Sequence, residues 1–202
     1  MDGIIQINKP KDYTSHDIVK VVKNILNEKV GHTGTLDPNA TGVLPLLIGK
    51  GTKLSKYLIN HDKIYKATLK LGIQTDTLDI TGKVLQKQQV DINSISEDFV
   101  KQKLKEFLGK LEQIPPMYSA IKVNGKKLYE YARKGQEVEI KPREIEIYDI
   151  KLEKLDKKNS EIIFTINCSK GTYIRTICEE LANKLGTIRV YERIRKNTSR
   201  KI

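Results

Sequence analysis

Tryptophan is missing from this chain of 202 residues, and phenylalanine occurs only three times. A buried core must therefore be built mainly from Ile, Leu and Val. Cysteine is almost as scarce. Cys168 and Cys178 stand ten residues apart with no CxxC pair and no neighbouring histidine cluster. That spacing speaks against a disulfide framework and against a zinc site, and favours two buried thiols in a reducing compartment. No apolar run approaches the ~20 residues that cross a bilayer as a helix. The opening MDGIIQINKP lacks the charged-then-apolar pattern of a secretory signal, so the expected location is the cytoplasm. Repeats and low-complexity linkers are also lacking, and the length suits one medium domain.

Acidic residues are in short supply relative to basic ones. There are 25 Asp and Glu against 37 Lys and Arg, a formal net charge of +12. A merely soluble Lys-rich surface is one reading, and a polyanionic partner, nucleic acid first, is the other.

Along the chain, Ile4, Ile5 and Ile7 predict a short strand ended by Pro10. Thr14 and Asp17 have the spacing of a capping box, and Ile18, Val21, Val22, Ile25 and Leu26 continue it as an amphipathic helix to about Asn27. The Gly- and Thr-rich stretch 31–42 cannot be a regular helix. VLPLLIG then reads as a buried run and GTKLSKYLIN as a short helix. KIYKATLKLG and GKVLQKQQV predict strands around a turn-rich TDTLDITG. A helix is expected from Ser96 to Leu108. A long excursion over 113–141 follows, with a Pro-Pro break, an Asn-Gly turn and a helical piece at Leu128 to Ala132. EIEIYDIKLEKL and SEIIFTINCSK predict two more strands across a polar DKKNS turn. GTYIRTICEELANKLG predicts a helix with Ile174, Ile177, Cys178, Leu181 and Leu185 on one face, stopped by Gly186. The final TIRVYERIRKNTSRKI is basic and weakly patterned. Strands and helices mix without strict alternation, which predicts an α+β fold with a mixed, mostly antiparallel sheet.

Chemistry concentrates in Gly31-His32-Thr33-Gly34-Thr35-Leu36-Asp37-Pro38-Asn39-Ala40-Thr41-Gly42. Three glycines open unusual backbone conformations and Pro38 fixes the chain just after the carboxylate. Such a loop can present one oriented Asp; a plain turn cluster capped by its own Asp is the alternative. Two decoys fall away. GKGTKLS lacks P-loop spacing, and DTLDITG lacks the alternating acids of a calcium loop.

This twelve-residue segment resembles the signature loop of the bacterial tRNA pseudouridine-55 synthases, the TruB family. The opening G-x-x-x-I-N-K-P, GKGTKLSKYL, Lys63-Ile64-Tyr65, LGIQTDTLDITG, PPMYSAIKVNGKKLYEYARKG and CSKGTYIRTICEEL resemble family blocks in the same order. The resemblance covers about residues 3–186. It implies the pseudouridine-synthase fold and isomerisation of a T-loop uridine of tRNA, with the base flipped out of its stack. It implies Asp37 as nucleophile, Arg175 as its salt-bridge partner, and Tyr65 as the residue that stacks on the base and takes part in proton transfer. His32 would fill the space left by the flipped base, and Asp79 would help orient the nucleotide. Tyr173 belongs to the same site. Its side chain shares a side with Arg175 if the backbone there is extended, and diverges from it if helical. Lys53, Lys122 and Lys170 are candidate phosphate contacts. His16 and His61 match no role. No cofactor and no metal is implied.

The resemblance further implies one catalytic domain over 1–202, with an insertion at about 113–141 that closes over the RNA arm. The stretch after Gly186 departs from the family's arginine-rich segment, and a PUA domain is not expected within the chain. The expected partner is the tRNA T-arm, without a membrane or an obligate protein partner, and the expected state is a monomer. A non-catalytic tRNA-binding or tRNA-folding module on the same fold is the alternative. A guide-RNA-dependent subunit of the dyskerin type ranks behind both.

Overall fold

The computed structural model describes residues 1–58, 61–187 and 189–197, without the side chains of 189–193. Two compact units emerge: Met1–Lys66 with Arg193–Ile202, and Ala67–Glu192.

In the first unit, β1 (Gly3–Lys9) stops before Pro10, whose ring cannot continue a ladder. Helix α1 (Ser15–Leu26) opens with the expected reciprocal box, Thr14 accepting from the Asp17 backbone while Asp17 accepts from that of Thr14, and closes on Asn27 in a left-handed conformation. β2 (Val30–His32) and β3 (Thr41–Ile48) flank the Gly-rich loop. β1 pairs antiparallel with β3 from Gly3↔Ile48 to Lys9↔Gly42, and β2 pairs antiparallel with its other edge from Val30↔Ile48 to His32↔Leu46.

Pro45 sits inside β3 without breaking the sheet. A strand residue's N–H and C=O point the same way, and the Pro45 carbonyl accepts from Thr33 N–H at 3.3 Å. The missing N–H therefore faces away from β1, just where β2 has ended. Leu44, Leu46, Leu47 and Ile48 form the core of this unit with Ile18, Val19 and Leu36. A 3-10 helix (Gly49–Leu54) and a single α-turn, α2 (Ser55–Leu58), follow; the last two residues of the expected GTKLSKYLIN helix lie outside the described residues.

β4 (Lys63–Leu71) leads into the second unit. Its sheet runs β4-β11-β10-β7, where β7 is Gly109–Gln113, β10 is Arg143–Asp156 and β11 is Glu161–Cys168. β10 pairs antiparallel with both neighbours. β11 alternates strictly, with Ile162, Phe164, Ile166 and Cys168 fully buried. Between β4 and β7 come the small pair β5 (Ile73–Thr75) and β6 (Val84–Lys87), then α3 (Glu97–Lys105), which ends one turn short of the expected Leu108. The excursion over 113–141 holds a two-residue hairpin, β8 (Lys122–Val123) and β9 (Lys126–Lys127), and then α4 (Leu128–Ala132). Asn124 and Gly125 both take positive φ, 50° and 80°, as this tight turn requires. Helix α5 (Ile174–Lys184) buries Ile174, Ile177, Cys178 and Leu181, and Gly186 ends it at φ 72°, while Leu185 is half-buried rather than part of the buried stripe.

The weakly patterned tail requires a correction. Residues Arg189–Lys196 form a strand, β12, whose Arg195 and Lys196 pair in parallel with Thr41 and Gly42 of β3. Its signal is tertiary: the strand exists because β3 offers an open edge there. Residues 188 and 198–202 of that tail lie outside the described residues. The α+β expectation holds, with sheets that are mixed and mostly antiparallel. Both cysteines are buried, and neither is in a disulfide. Among the described residues no helix is long and apolar enough to cross a membrane.

Candidate active site

The first unit carries Asp37 on a loop that is tied down on both sides of it. Upstream, Leu36 N–H donates to Ser15 Oγ at 2.8 Å, and that hydroxyl faces the Leu36 carbonyl at 3.3 Å. Ser15 is the first residue of α1 and is buried. Downstream, the Pro38 carbonyl accepts from Asp12 N–H at 2.9 Å and from Lys9 Nζ at 3.1 Å. A tight turn closes with Ala40 N–H donating to the Asp37 carbonyl at 3.0 Å. Leu36, Asn39 and Ala40 are buried, whereas Asp37 itself is half-buried. The backbone is thus anchored on both sides of a residue that stays half-exposed.

Lys9 is the strongest of these anchors. It is 0 % exposed, and its ammonium donates to three carbonyls: Pro10 at 2.9 Å, Tyr13 at 2.6 Å and Pro38. All three Nζ protons are accounted for. Burial pulls its pKa down, and the carboxylates of Asp37, Asp12 and Asp17 oppose that pull, Asp37 most. Lys9 therefore acts on Asp37 twice, through the Pro38 backbone and through charge. Sequence reasoning gave neither Lys9 nor Ser15 a role. The only available signal was the Lys-Pro pair that resembles the family's opening block.

His32 ends β2 with a half-buried ring whose Nδ1 is buried without a hydrogen-bond partner. Burial lowers its pKa, nearby His16 and Lys196 lower it further, and a backbone hydrogen bond at Gly34 opposes them. At neutral pH the imidazole is uncharged. Gly42 closes the loop at φ 111°, and any side chain there would collide with the Lys196 carbonyl. Lys196 is itself buried; burial and the like charge of Lys63 push its ammonium down to about 8. Tyr65 lies half-buried on β4, and Lys53 is exposed on the 3-10 helix. His16 and His61 are exposed.

The second unit gathers Tyr173, Arg175 and Asp79. The choice left open for Tyr173 resolves as a junction. Tyr173 is the extended N-cap of α5, at φ −94° and ψ 106°, and the helix starts at Ile174. Its backbone is held by Gln113, the buried last residue of β7. The side-chain amide of Gln113 accepts from Tyr173 N–H at 2.8 Å and donates to the Tyr173 carbonyl at 3.2 Å. This amide does the work of a strand partner where no strand is available, and nothing local in the sequence announces it.

Arg175 is 6 % exposed and donates to two carbonyls, Thr77 from Nη1 at 3.3 Å and Tyr118 from Nη2 at 2.8 Å. Asp79 organises the turn that presents the first of them. Its Oδ1 accepts from Thr81 N–H at 2.9 Å and from Thr77 Oγ1 at 3.1 Å, and its carbonyl accepts from Thr75 Oγ1 at 2.7 Å. Asp79 thus carries out its turn-forming role and supports the seat of Arg175. Lys122, on the β8–β9 hairpin, and Lys170, in the turn before α5, are exposed.

A family model for TruB family pseudouridylate synthases (N terminal domain) matches residues 23–174. The chain is 51% identical to tRNA pseudouridine synthase B of Alkaliphilus oremlandii over 187 residues, covering 92% of this chain and 61% of that protein. It is 50% identical to the protein of the same name from Clostridium tetani over 187 residues, covering 92% and 63%. The chain thus spans about three fifths of the length of these curated relatives. Among solved structures it resembles a chain of a Cbf5-Nop10-Gar1 complex, with a TM-score of 0.74 at 30% identity over 98% of this chain and 48% of that one. A chain of an H/ACA RNP bound to a substrate RNA containing 2′-deoxyuridine gives 0.70 at 27% identity, over 98% and 47%. With its family model covering most of its length, this chain belongs to the TruB family of pseudouridylate synthases.

Proposed function

We propose that this chain isomerises a T-loop uridine of tRNA to pseudouridine, with Asp37 as the nucleophile. The reaction breaks the bond from uracil N1 to ribose C1′, turns the base, and forms a bond from C5 to C1′. The C5 proton leaves and N1 gains one, so the product is an isomer and no redox carrier is required. A carboxylate beside C1′ can form a covalent intermediate there or stabilise the charge that develops on it. Arg175 serves as the cation that keeps Asp37 ionised, and Tyr65 stacks on the base and moves the proton. His32, neutral and at the end of a strand, occupies the gap left by the flipped base; Tyr173 and Asp79 shape the site. Lys53, Lys122 and Lys170 contact phosphates of the T-arm.

The observation that carries this reading is the Asp37 loop, anchored at Leu36 and at Pro38 while the aspartate between them stays half-exposed. The chain acts as a single catalytic domain in the cytoplasm, as a monomer without an obligate protein partner. The segment 113–141 closes over the RNA. Tritium release from C5-labelled uridine in a tRNA transcript tests the proposal. Asp37→Asn is expected to abolish release while tRNA affinity changes by no more than about fivefold, because one unprotonated oxygen is lost and no phosphate contact is. Equal release by variant and wild type would remove Asp37 from the mechanism. Binding without release by the wild type would identify a tRNA-binding module instead.

A further inference from the structure

Two lysines of the first unit are buried almost equally and provided for in opposite ways. Lys9 is 0 % exposed and Lys196 is 3 % exposed. Lys9 gives its ammonium to three carbonyls, and the carboxylates of Asp37, Asp12 and Asp17 act on it. Among the described residues the Lys196 ammonium has neither a hydrogen-bond acceptor nor a carboxylate. The charge that acts on it is that of Lys63, of the same sign. With a pKa of about 8 it is still mostly protonated at neutral pH. A cation held in this way costs the fold free energy that no partner returns. The Nζ atom keeps some accessible surface, so the stem is buried while the tip is open.

The position of this tip gives it meaning. Lys196 is the last residue of β12, in register with Gly42 where the Asp37 loop returns to β3. The next residue, Asn197, donates its N–H at 2.9 Å to the carbonyl of Ile64, the neighbour of Tyr65 on β4. Strand alternation turns Lys196 to the same buried side as Ile194 and leaves Arg195 exposed. The Lys63 stem runs beside Gly34 of the Asp37 loop, and its ammonium is held by the His61 carbonyl at 2.9 Å. His32, at the end of β2, feels the Lys196 charge but is itself neutral and supplies no counter-ion. Asp37 acts on Lys9 and not on Lys196.

The missing partner is therefore an anion that comes from outside the chain and reaches the exit of the Asp37 loop. A phosphodiester has one negative charge and free acceptor oxygens, and a chain of net charge +12 is suited to the polymer that carries it. We propose that Lys196, with the Lys63 charge beside it, receives a backbone phosphate of the RNA next to the nucleotide at Asp37. The proposal rests on the reading of the chain as a tRNA-modifying enzyme only for the choice of RNA. Lys9 is then the structural lysine of this unit and Lys196 the ligand lysine.

The test is binding of a tRNA T-arm stem-loop to the full chain across a range of salt concentrations. Lys196→Met keeps the stem and removes the charge. It should weaken binding by about tenfold and lower the slope of log affinity against log salt by about one. The same variant should resist urea as well as the wild type or better, because an unpaired buried charge has been removed. Lys103→Met takes a charge from a lysine already bonded to Glu106 on α3, and should leave affinity and slope unchanged. The proposal is overturned if Lys196→Met keeps the wild-type slope, if it is less stable than the wild type, or if Lys103→Met lowers the slope as much. Calorimetric binding of inorganic phosphate by the wild type but not by Lys196→Met, with the RNA slope unchanged, would make this a free-anion site and overturn it as well. Tritium release with an unchanged slope sinks this proposal alone. A lowered slope without release sinks the catalytic reading alone.

Discussion

The two units present their candidate site residues by the same device made from different chemistry. In the first, the backbone beside Asp37 is held by a buried ammonium, Lys9, that joins three carbonyls. In the second, the backbone of Tyr173, two residues before Arg175, is held by the neutral amide of Gln113. A buried charge is a strong anchor only while all its partners are present, because desolvation has already taken away its water. A neutral amide costs less to bury and holds less tightly. The choice fits each position. The Lys9 ammonium faces carbonyls and three nearby carboxylates, so a cation is favoured there. Gln113 faces one N–H and one C=O of the same residue, a pair that only a group both donating and accepting can match.

The comparison predicts an order of damage. Lys9→Met keeps the stem and removes the charge. The Pro10 and Tyr13 carbonyls lose their Nζ donor, while Pro38 keeps the Asp12 N–H. The expected cost is about 3 kcal/mol of unfolding free energy, read from urea denaturation. Turnover should fall by about a hundredfold with little change in tRNA affinity, because the Asp37 carboxylate loses its aim rather than its chemistry. Gln113→Leu should cost less, about 1–2 kcal/mol, since two neutral bonds are lost and the Tyr173 carbonyl keeps its donors from α5. If Gln113→Leu proves the more damaging, the contrast between charged and neutral anchors is wrong.

What the sequence disclosed follows from the same contrast. The alternation of β11, the buried stripe of α5, the Thr14 and Asp17 box and the Asn-Gly hairpin are local signals, and all four appear where the pattern places them, save that the α5 stripe stops at Leu181 and leaves Leu185 half-buried. Asp37 was legible through a twelve-residue resemblance. Its supports were not. Lys9 reaches Pro38 across 29 positions and Gln113 reaches Tyr173 across 60. A residue that serves a distant backbone carbonyl needs only the right donor at the right place in space, and leaves no periodicity behind. β12 escaped notice for the same reason, as its pairing edge lies on β3.

The smallest expected effect concerns His32, on the strand that leads into the charged anchor's loop. Its folded pKa lies below the ordinary value of 6.5, mainly through burial. Between the folded and unfolded values the unfolded chain binds more protons than the folded one. Stability therefore rises with pH through that window and is lost as the pH falls below about 6.5. His16, Lys196 and the Gly34 backbone are the groups that act on the ring, and two of the three disfavour its charge. Because the ring is only half-buried, solvent screening keeps the effect well under about 1 kcal/mol. Urea denaturation at mildly acidic and mildly alkaline pH should show His32→Gln losing less stability on acidification than the wild type. Protonation here adds a positive charge near Lys196 and beside a loop already anchored by Lys9. A His32 variant as acid-sensitive as the wild type would place that sensitivity in another group and leave the neutral-histidine reading without support.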